Sequence, residues 1–128
     1  MYEITIEQTF AAAHSIRIRG EQEPVHGHNW HVTVVVASDT LDEDGLVCDF
    51  HDLEKQLNNI ISPFHNRALN DVPPFDTVNP TAELVARHIG DEIVAWAPSP
   101  VRLVSVTVTE APNCAATWRP DAGEVTSR

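Results

Sequence analysis

Three histidines carry the spacing that could do chemistry. His26 and His28 stand two apart in Val25-His26-Gly27-His28-Asn29-Trp30-His31, and His14 lies upstream. Side chains two apart on a β-strand point to one face. His26 and His28 therefore project together, and Val32, Val34 and Val36 continue that face. The run Ile4-Thr5-Ile6-Glu7-Gln8-Thr9-Phe10 alternates in the same way, and His14 sits just past it. If the two strands pair antiparallel, three imidazoles converge on one point. Three neutral nitrogen ligands with a fourth position left to water are the pattern of a catalytic zinc. No cysteine lies close enough in sequence to suggest a closed structural site. His31 faces the other way, and His51 and His88 fall on predicted helices as ordinary surface or boundary residues.

Glu110 is the second informative residue. It follows Val104, Val106 and Val108 at period two, so its carboxylate should point inward with them. A buried carboxylate is costly unless it is paired or hydrogen-bonded. One reading matches it with an arginine such as Arg119. The other, which we favour, has it bind a two-donor N–H/NH2 edge, as on a guanidine-like heterocycle. Glu83, in the first turn of a predicted helix, suits the helix dipole. Glu21 and Glu23 flank the histidine motif in a loop. Either is solvated there, or serves as a general base beside a metal-bound group.

The elements that must position these residues follow from periodicity. Residues 2–14 read as a first strand and 25–37, rich in β-branched residues, as a second. Residues 17–24, with Gly20 and Pro24 as breakers, read as a loop. Asp42-Glu43-Asp44-Gly45 is a turn and Leu46-Val47 a short return strand. Asp49 caps a first helix with the stripe Phe50, Leu53, Leu57, Ile60, Ile61 and Phe64, and Pro63 marks its end. Residues 65–79 read as a long loop, which in so small a domain is more often functional than idle. Thr81 caps a second helix with the stripe Leu84, Val85, His88, Ile89, Ile93 and Trp96. Strands at 101–109 and 114–118 complete an order β-β-α-α-β-β. This is an α+β architecture, a four-stranded antiparallel sheet with two helices on one face. Its two open edges favour pairing with another copy.

The chain of 128 residues is expected to form one domain over 1–120, with a polar tail at 121–128. A formal charge of −11, with Lys55 the one lysine, argues against nucleic acid as a partner. Cys48 and Cys114 read as buried small side chains rather than a disulfide framework. No apolar run approaches a membrane span and the first residues lack a signal-peptide pattern, so a soluble, cytoplasmic protein is the expectation.

Five spaced motifs then occur in order: Phe10-Ala11-Ala12-Ala13-His14, His26-Gly27-His28-Asn29-Trp30, Asp44-Gly45-Leu46-Val47-Cys48-Asp49-Phe50, Asn79-Pro80-Thr81-Ala82-Glu83 and Val108-Thr109-Glu110. Together they resemble the 6-pyruvoyl-tetrahydropterin synthase and 6-carboxytetrahydropterin synthase family. The resemblance implies the tunnelling fold, in which three subunits join their sheets into a barrel and two trimers stack into a hexamer. It implies zinc on His14, His26 and His28, and a pterin ring anchored by Glu110, with Thr81 and Glu83 at positions that help hold it. Substrates would be 7,8-dihydroneopterin triphosphate or close relatives, bound between subunits. The zinc would acidify side-chain hydroxyls and stabilise an enolate-like intermediate.

Two departures stand out. The family's cysteine shortly before His-Gly-His is absent from Gly20-Glu21-Gln22-Glu23-Pro24-Val25. Glu23 instead resembles the glutamate of a variant branch, similar to enzymes that cleave the dihydroneopterin side chain to give 6-hydroxymethyl-dihydropterin for folate. Where the family has Leu-Asp-His before Leu-Asn, this chain reads Phe64-His65-Asn66-Arg67-Ala68-Leu69-Asn70. The expected function is a zinc-dependent lyase acting on the carbon side chain of a dihydropterin, with Glu23 as base and His65 assisting. The alternatives are a zinc- and pterin-binding protein without catalysis, and an unrelated zinc-stabilised module. A triphosphate would need Arg17, Arg19 or Arg67, the candidate cations near the site.

Overall fold

Two strands of 13 residues form the spine of the fold: β1 (Tyr2–His14) and β4 (His26–Ser38). They pair antiparallel along their full length, from Tyr2 opposite Ser38 to His14 opposite His26. Alternation drives this pairing, because Ile6, Phe10 and Ala12 on one strand and Trp30, Val32, Val34 and Val36 on the other are all buried on one face. The computed structural model describes residues 1–120, so the tail expected at 121–128 lies outside the described residues. Strands β6 (Arg102–Ala111) and β7 (Cys114–Trp118) extend the sheet antiparallel beyond β4. Helices α1 (Phe50–Ile61) and α2 (Ala82–Trp96) supply further core side chains, Leu53 and Leu57 from the first and Val85, Ile89 and Ile93 from the second.

The sheet has five strands rather than four. The stretch expected to be loop at 65–79 contributes β5 (Arg67–Ala68), parallel to β1 at Ala12 and Ala13, giving the order β5-β1-β4-β6-β7. Leu69, Val72 and Phe75 are buried and hold this segment down, with a short 3-10 turn at Leu69–Asp71. The expected loop at 17–24 holds a small hairpin, β2 (Arg17–Ile18) with β3 (Glu21–Gln22). Its central residues Arg19 (φ 53°) and Gly20 (φ 81°) both sit in the left-handed region that a type I′ turn requires. Leu46-Val47 is no strand. The Asp42 carboxylate accepts the N–H groups of Asp44 and Leu46, each at 2.9 Å, and so closes that turn locally.

Packing also redraws the expected stripes. Between Val35 and Val36 the β4–β6 register shifts, so Val36 faces Leu103, and Leu103 rather than Val104 shares the buried face with Val106 and Val108. In α2 the buried side includes Ala82, Ala86 and Gly90, whereas Leu84 is exposed. These small residues let the helix approach the sheet closely, and a Cβ built on Gly90 would overlap the Trp118 ring. Phe50, at the start of α1, is exposed. Cys48 is half-buried and Cys114 exposed, because the first follows a turn and the second begins the edge strand. Among the described residues no helix is long and apolar enough to cross a membrane. Both helix caps form as expected: Asp49 accepts from the His51 N–H and Thr81 from the Leu84 N–H.

Candidate metal centre and active site

The β1–β4 register places His14 directly opposite His26, and Ala12 opposite His28. One imidazole nitrogen from each of His14, His26 and His28 lies within 4.8 Å of the others. The Nε2 atoms of His14 and His26 are 3.1 Å apart. Around a tetrahedral ion with imidazole nitrogens at about 2.0–2.1 Å, neighbouring ligand atoms stand about 3.3 Å apart.

The outer nitrogens fix which atoms face inward. His14 Nδ1 lies 2.8 Å from the Pro80 carbonyl and His26 Nδ1 lies 3.0 Å from the Pro24 carbonyl. A carbonyl only accepts, so both Nδ1 atoms donate and both Nε2 atoms present lone pairs to each other. Two lone pairs at that separation repel unless a cation sits between them. His28 Nε2 is buried with no hydrogen-bond partner among the described residues, which is the same unfilled requirement. Burial holds the His28 imidazole below its ordinary pKa, against the opposing pull of Glu110. The donor set therefore fits a divalent ion of borderline softness.

Two carboxylates flank these nitrogens. Glu110 Oε2 stands 3.5 Å from His14 Nε2, and Glu23 Oε1 stands 3.6 Å from His26 Nε2. Glu110 sits where the β6–β7 register shifts between Thr109 and Ala111, a bulge of the kind that re-aims a side chain beside a site. Its Oε2 is buried and has no hydrogen-bond partner among the described residues, so Arg119 does not satisfy it. Glu23 is held more firmly, its Oε1 accepting the Ile16 N–H at 3.2 Å and its backbone N–H meeting the Ile16 carbonyl at 3.0 Å.

The other expected residues are spread around this centre. Thr81 caps α2 directly after Pro80, whose carbonyl orients His14, while Glu83 is exposed in the first turn. His65 is not brought to the trio within one chain. Its Nδ1 accepts the Ala11 N–H at 3.1 Å, and its ring lines a cavity with Thr9, Phe10, Asn58, Ile61 and Ser62 that none of the three histidines borders. Arg67 lines a cavity of about 570 Å³ together with Ala11, Gly27, His28, Asn29 and Asn66. Arg17 lines a different one with Gln22, Asn70 and Asn79.

Asn70 and Asn79 are partners that sequence reasoning passed over. Asn70 accepts the Ser15 N–H at 2.9 Å and donates to the Ser15 carbonyl at 2.8 Å. Asn79 does the same to Arg17, at 2.8 and 3.0 Å. The one available signal was their place in the motifs Leu69-Asn70 and Asn79-Pro80-Thr81.

A sheet end that gathers three imidazoles and two carboxylates suits metal-assisted work on a small polar substrate. Comparison with known proteins gives that site a family. Residues 3–121 match the family described as 6-pyruvoyl tetrahydropterin synthase. The chain is similar to a 6-carboxy-5,6,7,8-tetrahydropterin synthase of Bacillus subtilis, at 30% identity over 95% of this chain and 88% of that one. It is also similar to a dihydroneopterin monophosphate aldolase of Pyrococcus furiosus, at 32% identity over 84% of this chain and 88% of that one. Among solved structures, the 6-pyruvoyl tetrahydropterin synthase of Caenorhabditis elegans superposes with a TM-score of 0.79 at 25% identity. That match covers 94% of this chain and 98% of the other. With nearly every described residue inside the match, the chain belongs to the 6-pyruvoyl tetrahydropterin synthase family of pterin-processing lyases.

Proposed function

We propose that this chain is a zinc-dependent lyase acting on the side chain of a dihydropterin, 7,8-dihydroneopterin triphosphate or a close relative. The observation that carries the reading is the pair of lone-pair-bearing Nε2 atoms, with the orphaned His28 nitrogen beside them. His14, His26 and His28 would hold the zinc, which when bound supplies a Lewis acid that lowers the pKa of a side-chain hydroxyl. Glu23 accepts the proton of that hydroxyl as general base; its tie to the Ile16 N–H keeps Oε1 aimed at the His26 side of the site. Glu110 takes the two-donor edge of the pterin ring, replacing an unpartnered buried oxygen with charge-assisted hydrogen bonds. Thr81 and Glu83 help hold the ring at the start of α2. A Plasmodium vivax synthase of the same fold, 20% identical, has been solved as variants of a catalytic glutamate, a precedent for the role given to Glu23.

His65 lines a cavity that none of the three histidines of its own chain borders. We assign it to the site of an adjacent copy in a hexamer of two trimers, with the sites between subunits. A cytoplasmic setting is part of the same proposal. The test incubates zinc-loaded protein with dihydroneopterin and its mono- and triphosphate and follows products by mass. Turnover in the wild type that is lost in Glu23→Ala supports the reading. No turnover on any of the three, or undiminished turnover in Glu23→Ala, overturns it. The separate cavity of His65 favours one second reading, a protein that binds zinc and pterin without turning it over; tight binding with no product would establish that one.

A further inference from the structure

Segment 69–80, between the two helices, touches the candidate site at three successive points of the chain that leaves β1. Pro80 meets His14 through its carbonyl, Asn70 meets Ser15, and Asn79 meets Arg17. Both asparagines use the amide as a peptide mimic, offering one acceptor and one donor to the N–H and C=O of a single residue. These four bonds are all 2.8–3.0 Å, good geometry for neutral pairs. The residue between the two clamped positions is Ile16, and Ile16 is what holds Glu23. Its N–H reaches Glu23 Oε1, and its carbonyl receives the Glu23 N–H. The Ser15 hydroxyl, itself receiving a bond from Gln22, donates to the Glu23 carbonyl.

We propose that Asn70 and Asn79 are positioning residues for the Glu23 carboxylate, acting as a two-point clamp on residues 15–17 that fixes Oε1 relative to the histidine trio. The inference rests on the reading of Glu23 as base. Without the clamp, residues 15–17 are tied to the rest of the fold chiefly through their own hairpin, and that hairpin has strands of two residues each. Displacement of a reacting group by about 1 Å costs on the order of 100-fold in rate. An asparagine suits the task where aspartate does not, because a carboxylate would accept the Ser15 N–H but repel the Ser15 carbonyl.

The experiment uses full-length zinc-loaded protein and compares Asn70→Asp, Asn79→Asp, Glu23→Ala and the doubles Glu23→Ala/Asn70→Asp and Glu23→Ala/Asn79→Asp. Readouts are kcat and KM on the dihydropterin that the wild type turns over, zinc per chain, and pterin affinity by fluorescence. The clamp variants should lose about 10–100-fold in kcat. Their KM, pterin affinity and zinc content should stay within about twofold of wild type. Each double should be no slower than Glu23→Ala alone, because the asparagines act through that carboxylate. Three outcomes overturn the clamp while leaving Glu23 as base: unchanged kcat in both single variants, losses that add in the doubles, or losses that track zinc content. Wild-type turnover in Glu23→Ala overturns the reading of the base, and the clamp with it.

Discussion

His14 and His26 each spend the outer nitrogen on a backbone carbonyl and turn the inner one toward the other, 3.1 Å away. A bound cation converts that repulsion into coordination, so metal removal should cost stability as well as activity. Binding at about 1,000-fold excess over Kd stabilises a fold by about 4 kcal/mol. The zinc-loaded protein should therefore melt several degrees above the chelator-treated protein, and equal midpoints would count against the site. Glu110 makes a separate prediction. Hydrogen bonds to a charged group are worth about 1.5–3 kcal/mol, so Glu110→Gln should weaken pterin binding by about 10–100-fold in a fluorescence titration. Unchanged affinity would remove the role assigned to it. These residues were legible because a two-residue period places His26, His28 and Glu110 on faces that can be read from the sequence alone. Asn70 and Asn79 were not, because their partners lie 55 and 62 positions away and no local pattern marks such a pair.

At the scale of elements, the α2–sheet contact depends on what is missing from Gly90. Gly90→Ala drives a methyl into the Trp118 ring, and overpacking of this kind costs about 1–3 kcal/mol, readable as a lower urea midpoint. A midpoint at or above that of wild type would mean the ring moves aside freely. On the same helix His88 lies against the Phe64 and Phe75 rings, at centroid distances of 5.7 and 5.6 Å. Burial lowers its pKa from the ordinary 6.5, with Glu92 and Asp91 pulling the other way. A base with a lowered folded-state pKa holds its proton more readily when unfolded. Its contribution is therefore complete above pH 6.5 and is lost as the pH falls below that value. The drop in urea stability between about pH 7 and pH 5 should be smaller in His88→Gln than in wild type. An identical drop would place the acid sensitivity elsewhere. Helix caps and long strands were readable here because each rests on local chemistry. The β6 bulge, the β5 addition and the small buried ridge of α2 were not, since each is set by what packs against it.

The whole molecule covers one sheet face with helices and leaves the other with Glu7, Thr9, His31, Thr33, Thr107 and Thr117 in hydrogen-bonded groups. Among the described residues its outer strands also leave backbone unpaired, along most of β1 beyond the two residues that meet β5 and along the far side of β7. Association through those edges is the expected remedy, and sedimentation should give about six times the 14.2 kDa chain mass; a monomer at micromolar concentration would contradict the hexamer. All of this turns on a metal held by three imidazoles. The most direct measurement is zinc per chain after exhaustive dialysis of the wild type and of His14→Ala, with circular dichroism showing that both are folded. The account predicts about one zinc in the wild type and almost none in the variant; equal zinc in the two, or none in either, would contradict it.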